Sequence, residues 1–374
     1  MKVVMVSPYY YGVGGLQHYT YRISVGLSDA GIDTAVVTCS NVPDLSDNVR
    51  VYTLPKLLTV SNTPFSLRWF WSIKRVIEKE DPDIVNGHTP VAYMADVALR
   101  VCGDRPYVLT YHNDLVGINS VMRGLVSSYY RLLGDKTIEG AKSIITTSTV
   151  YAENSSHLKG QLGKICSIPP GVDTRVFNPE VHAEHMKDKY GLEDDVILFV
   201  GQLSKSHRHK GLSFLINAMA NLDIDATLVV VGDGNWCKRY KNHARNRGVD
   251  NKVIFAGIVP YAELPLYYRG ANVTVLPTYT QAEGFGMALI EANACGRPVI
   301  GTNIGGIPYV IEDEYNGLLV DPKNVQALSN AITRVLTDAR LAARLGKNGC
   351  KRVQNEFTWE RSIKRTIQLY KGLI

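Results

Sequence analysis

At 374 residues the chain is longer than one hydrophobic core usually supports, so two domains are the default, and its 45% hydrophobic and 20% charged residues are those of an ordinary globular protein. No apolar run is long enough to span a bilayer, and MKVVMVSPYY reads as a short strand and turn rather than a signal sequence, while six scattered cysteines without a CxxC argue against disulfides and zinc and for a cytoplasmic setting. The net charge of +6, with no long basic tract, argues against a nucleic-acid arm and favours anionic ligands or an anionic membrane surface.

Residues 2–7 are Val-rich, as expected of a strand buried on both faces. The glycine-rich stretch from Gly12 to Gly15 follows, then a helix carrying Tyr19, Ile23 and Leu27 on one side. Strand, glycine loop and helix make a phosphate-approach motif, because Gly14 and Gly15 let backbone come close to a bulky anion; the same spacing also fits a tight turn. TAVVTC and VRVYTL read as two further strands. A helix through Trp69, Phe70 and Trp71 stops at Pro82, and a short strand ends at Asn86. Those aromatics, beside Arg68, Lys74 and Arg75, fit either core packing with a solvated basic edge or a membrane-interface face. RPYVLTYHND is a strand that delivers His112 at its carboxyl end, the edge where open parallel sheets bind ligands. A long helical segment with Arg123, Arg131 and Lys136 precedes the strand AKSIITTS. Pro169, Pro170 and Gly171 then break the alternation and mark an interdomain hinge.

The second half restarts in the same way: an apolar strand, Gly201, and a basic loop with Lys205, Arg208 and Lys210 suited to neutralising a diphosphate. The histidine pairs 207/209 and 182/185 lack an evident third ligand, so no metal is expected at either. TLVVVGDGN is a strand ending in Gly232, Asp233 and Gly234; KVIFAGIVP and ANVTVLPT are two more, with a helix carrying Tyr267 and Tyr268 between them. The most informative stretch follows. Glu283 sits in a loop, Gly284, Phe285 and Gly286 form a turn, and a helix opens whose first amides, on Met287, Ala288 and Leu289, face an anion. Glu291 lies four residues past Met287, about 6 Å along the axis, where a carboxylate can accept from the vicinal hydroxyls of a ribose. RPVIGT and NGLLVDP are the last strands, and Trp359, Ile363, Ile367 and Leu369 are expected to form the apolar stripe of the final helix.

Together GVGG, LTYHND, IPPGVDTRVFNP, VGQL with KGL, VVGDG, LPTYTQAEGFGMALIEANACGRPVI, GGIPYVI and NGLLVDP span nearly the whole chain, in order, and resemble the family-four retaining glycosyltransferases. The resemblance implies an α/β, GT-B architecture, with two Rossmann-like domains facing each other across a cleft. Residues 1–171 would form the acceptor-side domain, joined by a C-terminal helix 357–374, and residues 172–356 the nucleotide-sugar side. It further implies that Glu283 and the amides of Phe285 and Gly286 hold the donor sugar, that Met287, Ala288 and Lys210 hold the diphosphate, and that Glu291 holds the ribose. Asp233 and Gly234 would shape the nucleotide pocket, Gly14 and Gly15 would approach the donor phosphates, and His112 would lie near the transferred sugar. One departure stands out: members commonly carry an arginine directly after the glycine of the strand preceding KG, where this chain has Gln202. A second phosphate cation is then sought at Lys205 or Arg208, and Arg208 is favoured because a guanidinium can bridge two phosphate oxygens.

The expected activity is transfer of a sugar from a nucleotide-diphosphate donor to a hydroxyl of a glycan, glycolipid or lipid-linked acceptor, at the inner face of a membrane, with no metal or other cofactor. The resemblance implies retention of configuration by front-face attack, the donor phosphate taking the acceptor's proton; Glu283 as a nucleophile is the alternative. Rival expectations are an epimerase or phosphorylase on the same fold, and a silent sugar-nucleotide-binding module.

Overall fold

A computed structural model describes residues 1–12, 14–43, 48–60, 63–115, 120–182 and 184–374; Val13 of the glycine loop and the side chain of His185 lie outside the described set. The chain divides into two compact units, residues 1–171 with 359–374, and residues 172–358.

The first unit is built on strands β1 (Lys2–Val6), β2 (Asp33–Thr38), β3 (Arg50–Thr53), β6 (Ile84–Thr89), β7 (Tyr107–Tyr111), β8 (Ser143–Thr146) and β9 (Ile165–Ser167), with a small antiparallel hairpin of β4 (Leu58–Val60) and β5 (Thr63–Phe65) set apart. All seven pair in parallel, in the order β3-β2-β1-β6-β7-β8-β9. Alternation along β1 explains why: Val4 and Val6 enter one apolar cluster and Val3 and Met5 another, so both faces of the strand are buried. β6 continues three residues past the expected end at Asn86, which places His88 inside the sheet. In the helix Trp69–Glu80 the three aromatics separate: Trp69 is fully buried, Phe70 partly, and Trp71 is 66% exposed.

The second unit holds β10 (Asp195–Val200), β11 (Ala226–Val231), β12 (Val253–Gly257), β13 (Val273–Leu276), β14 (Val299–Thr302) and β15 (Gly317–Val320), again all parallel, in the order β12-β11-β10-β13-β14-β15. One apolar cluster covers this sheet and its flanking helices.

The last helix runs Trp359–Lys371, two residues later than the sequence suggests, because Phe357 and Thr358 are still paired to Val172: the Val172 amide donates to the Phe357 carbonyl at 2.8 Å. Its buried face is Trp359, Ser362, Thr366 and Tyr370, while Ile363, Ile367 and Leu369 are only partly buried beside it. Polar side chains can face inward here because each has a partner. Ser362 donates to the Pro169 carbonyl (2.6 Å), Thr366 to the Ser362 carbonyl (2.8 Å), and the Tyr370 hydroxyl to Asn86 (3.2 Å).

Candidate active site

In each sheet the strand order reverses once, between β1 and β6 in the first and between β10 and β13 in the second. At such a point two neighbouring strands send their following loops to opposite sides and leave a crevice at their carboxyl ends. In the second unit these loops run from Gly201 to Gly211 after β10 and from Pro277 to Gly286 after β13. They are tied together: the Thr278 hydroxyl and the Tyr279 amide both donate to the His209 carbonyl, at 2.7 and 3.0 Å. Gly211, at φ 81°, turns the first loop into its helix, and a Cβ there would overlap the Pro277 carbonyl oxygen.

The tie brings Lys210 to Glu283 across 73 residues of sequence, Nζ to Oε2 at 2.6 Å. His209 Nε2 stands 3.9 Å from the same oxygen. Burial pushes the Glu283 carboxyl up, but Lys210, with His209 and His207, outweighs it and holds the group below its ordinary value. The Gly306 amide donates to the Glu283 carbonyl at 2.9 Å, fixing the loop from behind.

Gly286 then adopts φ 95°, a conformation that penalises any Cβ, and opens the helix Met287–Ala294. Among the described residues the amides of Met287 and Ala288 have no partner, whereas Leu289 N–H donates back to the Gly286 carbonyl at 2.9 Å. Two free amides rather than three therefore head this helix, because its first turn is tightened into an i to i+3 bond. The Phe285 ring points into the core, edge-on to Phe357 with ring centres 5.5 Å apart, so only its backbone is open to a ligand role. Glu291, one turn on, is 7% exposed and accepts from the Tyr268 hydroxyl at 2.6 Å. Burial raises its carboxyl to about 7; the Tyr268 bond and the Lys210 charge pull the other way and moderate the rise.

Asp233 and Gly234 lie in the loop after β11, against the loop after β10. Leu203 N–H donates to the Asp233 carbonyl (2.9 Å), Asp233 Oδ1 accepts from Gly234 N–H (2.7 Å), and a Cβ on Gly234 would run into the Leu203 backbone. Arg208 is partly buried and its charge bears on the Tyr240 hydroxyl in the helix Cys237–Asn246; the Lys205 amide donates to Asn235 (3.1 Å). The basic groups that bear on Glu283 are Lys210, His209 and His207.

The remaining expected site residues belong to the first unit. Gly14 caps the helix Gly15–Asp29 directly after β1 and its loop, its carbonyl accepting from His18 N–H at 3.0 Å. His112 follows β7, and its ring meets Tyr19 of that helix edge-on at 4.9 Å. It also meets a residue that the sequence did not single out. His88, fully buried at the end of β6 opposite Thr110, places Nδ1 3.2 Å from His112 Nε2. Burial takes both imidazoles down, His112 to about 3 and His88 well below its ordinary value with His112 adding to the effect, so both are neutral at pH 7. Among the described residues His88 Nε2 is buried without a hydrogen-bond partner. The only sequence signal for His88 was its place at the carboxyl end of a strand.

Among the described residues no three His, Cys, Asp or Glu side chains are grouped as a metal would need, and no helix is long and apolar enough to cross a membrane. Exposed apolar side chains do gather in the first unit's helical segments, with Trp71 near exposed Lys74 and Arg75, and Val121, Leu125 and Leu132 near Arg123 and Arg131.

Comparison with known proteins covers both units. Residues 183–352 match the model for glycosyl transferases group 1, and residues 13–176 match that for glycosyltransferase family 4. The O-antigen chain mannosyltransferase C of Escherichia coli is 28% identical over 382 residues, covering 100% of this chain and 99% of that one. A GDP-mannose-dependent alpha-(1-6)-phosphatidylinositol monomannoside mannosyltransferase from Mycolicibacterium smegmatis is 30% identical, over 80% of this chain and 79% of its own length. Among solved structures, a sucrose-phosphate synthase from Thermosynechococcus elongatus superposes with a TM-score of 0.81 at 27% identity, covering 100% of this chain and 98% of that one.

Proposed function

The chain belongs to glycosyltransferase family 4, the group 1 glycosyl transferases of GT-B fold, and from that premise we propose that it moves a hexose from a nucleoside-diphosphate sugar to a hydroxyl of a glycan, glycolipid or lipid-linked acceptor. Relatives named as mannosyltransferases favour mannose as the sugar. The observation that carries this reading is the convergence at one strand-order reversal of Lys210, Glu283, the open amides of Met287 and Ala288, and the buried carboxyl of Glu291.

Each group has a task. As the bond between the anomeric carbon and the diphosphate breaks, negative charge grows on the departing phosphate; the two amides and Lys210 meet it without rearranging, in a site largely shielded from water. Charge compensation by Lys210 and the helix start makes a divalent ion unnecessary. Glu283 accepts from hydroxyls of the sugar, and Glu291 from the ribose. Asp233 and Gly234 line the nucleotide pocket, with Arg208 at its edge. The acceptor oxygen attacks on the face the diphosphate leaves, its proton passes to a phosphate oxygen, and configuration is retained. His112, neutral and held by His88, can offer a ligand a hydrogen bond rather than a charge. The exposed apolar and basic side chains of the first unit suit a peripheral contact with an anionic membrane on the cytoplasmic side, where a lipid-linked acceptor would be met.

A thermal-shift screen against nucleotide sugars tests the donor, since a ligand that binds only the native state raises the melting temperature. The expected outcome is stabilisation by GDP-mannose or another nucleoside-diphosphate hexose, followed by product NMR showing the anomeric configuration of the donor. An inverted product would overturn the retaining assignment. Co-sedimentation with anionic vesicles at low salt tests the membrane contact; no binding there removes it.

A further inference from the structure

The loop after β10 has no arginine beside its glycine, and Gln202 stands in that place. The basic groups gathered at Glu283 instead include two histidines, and their hydrogen bonds fix how one of them can act. His209 Nδ1 lies 3.1 Å from the Ser206 carbonyl oxygen. A carbonyl only accepts, so Nδ1 must carry a proton. In the neutral ring Nε2 is then a bare lone pair, and it is Nε2 that faces Glu283 Oε2 at 3.9 Å, next to Lys210 Nζ at 2.6 Å from the same oxygen. A bare lone pair cannot donate to a phosphate oxygen. Protonation at Nε2 turns the same ring into a cationic donor, aimed where Lys210 already points.

Resting on the donor-site reading given above, we propose that His209 is the second cation of the diphosphate site and that it becomes one only on binding, taking a proton from solvent as the diphosphate enters beside Lys210. The groups facing His209 are consistent with this. Glu283 and Lys210 flank Nε2; His207 lies behind, ring centres 5.9 Å apart, with its Nδ1 bonded to the Ser204 hydroxyl at 2.7 Å; Thr278 and Tyr279 bind the His209 carbonyl and hold the backbone still. In the ligand-free protein burial pushes the His209 imidazole below its ordinary value, Glu283 opposing and Lys210 reinforcing, so the ring is neutral at pH 7. His207 is taken to about 4, by burial and then by Lys210 and His209. A diphosphate adds negative charge within reach of Nε2 and reverses the balance at His209.

The test is calorimetric titration of the whole protein with UDP and with GDP, in buffers of different ionisation enthalpy, which counts protons taken up on binding. Protons exchanged by the nucleotide itself and by Glu291 are common to wild type and His209→Gln, so the difference between the two isolates His209. We expect wild type to take up more than the variant by about half a proton near pH 7. The variant should also bind about tenfold more weakly at pH 6, with the gap closing towards pH 8. A measurement on the wild-type protein alone guards against a misfolded variant: in 15N-histidine-labelled protein, the His209 Nε2 resonance should move from the bare to the protonated range on addition of UDP or GDP. Binding with equal proton uptake in both proteins, or a Nε2 resonance that stays in the bare range, overturns the proposal while leaving the donor site intact. No binding of either nucleotide overturns the donor site, and this proposal with it.

Discussion

Glu291 sits where it is costly to keep a charge, and replacing it should make the protein more stable and a poorer ligand binder at once. Its carboxyl is 7% exposed, with one hydrogen bond from Tyr268, and burial raises it to about 7. In the unfolded chain the same group ionises near its ordinary value of about 4.3. Between those two values the folded state holds a proton that the unfolded state has lost, so stability falls as pH rises through that window and levels off above about 7. The shift corresponds to roughly 3–4 kcal/mol, fully present at pH 8 and absent below about pH 4. Glu291→Gln keeps the shape and an oxygen to accept from Tyr268 but cannot ionise, so it removes the penalty. For a unit of this size roughly 3–4 kcal/mol corresponds to a rise of several degrees in melting temperature at pH 8, against little change near pH 4. The assay is differential scanning calorimetry of wild type and variant across that range, with UDP and GDP titrations beside it. A stabilised variant that binds nucleotide more weakly fits a carboxylate kept for a ligand. A variant destabilised at pH 8, or a gap between the two proteins independent of pH, would refute the reasoning.

Two further outcomes follow from two side-chain pairs, one in each unit. Lys210→Ala leaves Glu283 buried without its nearest cation and should destabilise on the order of 3–5 kcal/mol, most of it recovered in Lys210→Ala with Glu283→Gln; thermal unfolding of the three proteins measures it, and a double variant no better than the single one counts against the pairing. His88→Phe removes the bond to His112 and should lower kcat by about one to two orders of magnitude with little change in the donor KM. An unchanged kcat in a folded His88→Phe protein would make His88 a packing residue only.

The fold was legible because β1, β10, β11 and β13 are short Val-rich runs bounded by glycine or proline, a pattern that buried parallel strands impose on any chain. Glu283, Gly286 and Glu291 were legible as candidates because turn, helix start and carboxylates lie within nine residues. What stayed hidden were the pairings made across the fold. Lys210 meets Glu283 over 73 residues, Tyr268 meets Glu291 over 23, and His88 meets His112 over 24, each between elements that only the folded chain brings together. The final helix misled for a different reason. Ser362 and Thr366 face inward because backbone carbonyls accept from them, and hydrophobic periodicity cannot register a polar residue that is satisfied in place.

The central claim is that one crevice in the second unit binds a nucleoside-diphosphate sugar for transfer, with Glu283 at the sugar. The most direct measurement incubates the protein with GDP-[14C]mannose, UDP-[14C]glucose and a membrane lipid extract, and follows label into the lipid fraction with wild type and Glu283→Ala, nucleotide binding being measured in both. The account predicts transfer from one of the donors by wild type, and a variant that still binds the nucleotide yet transfers almost nothing. Transfer by Glu283→Ala at the wild-type rate would contradict it.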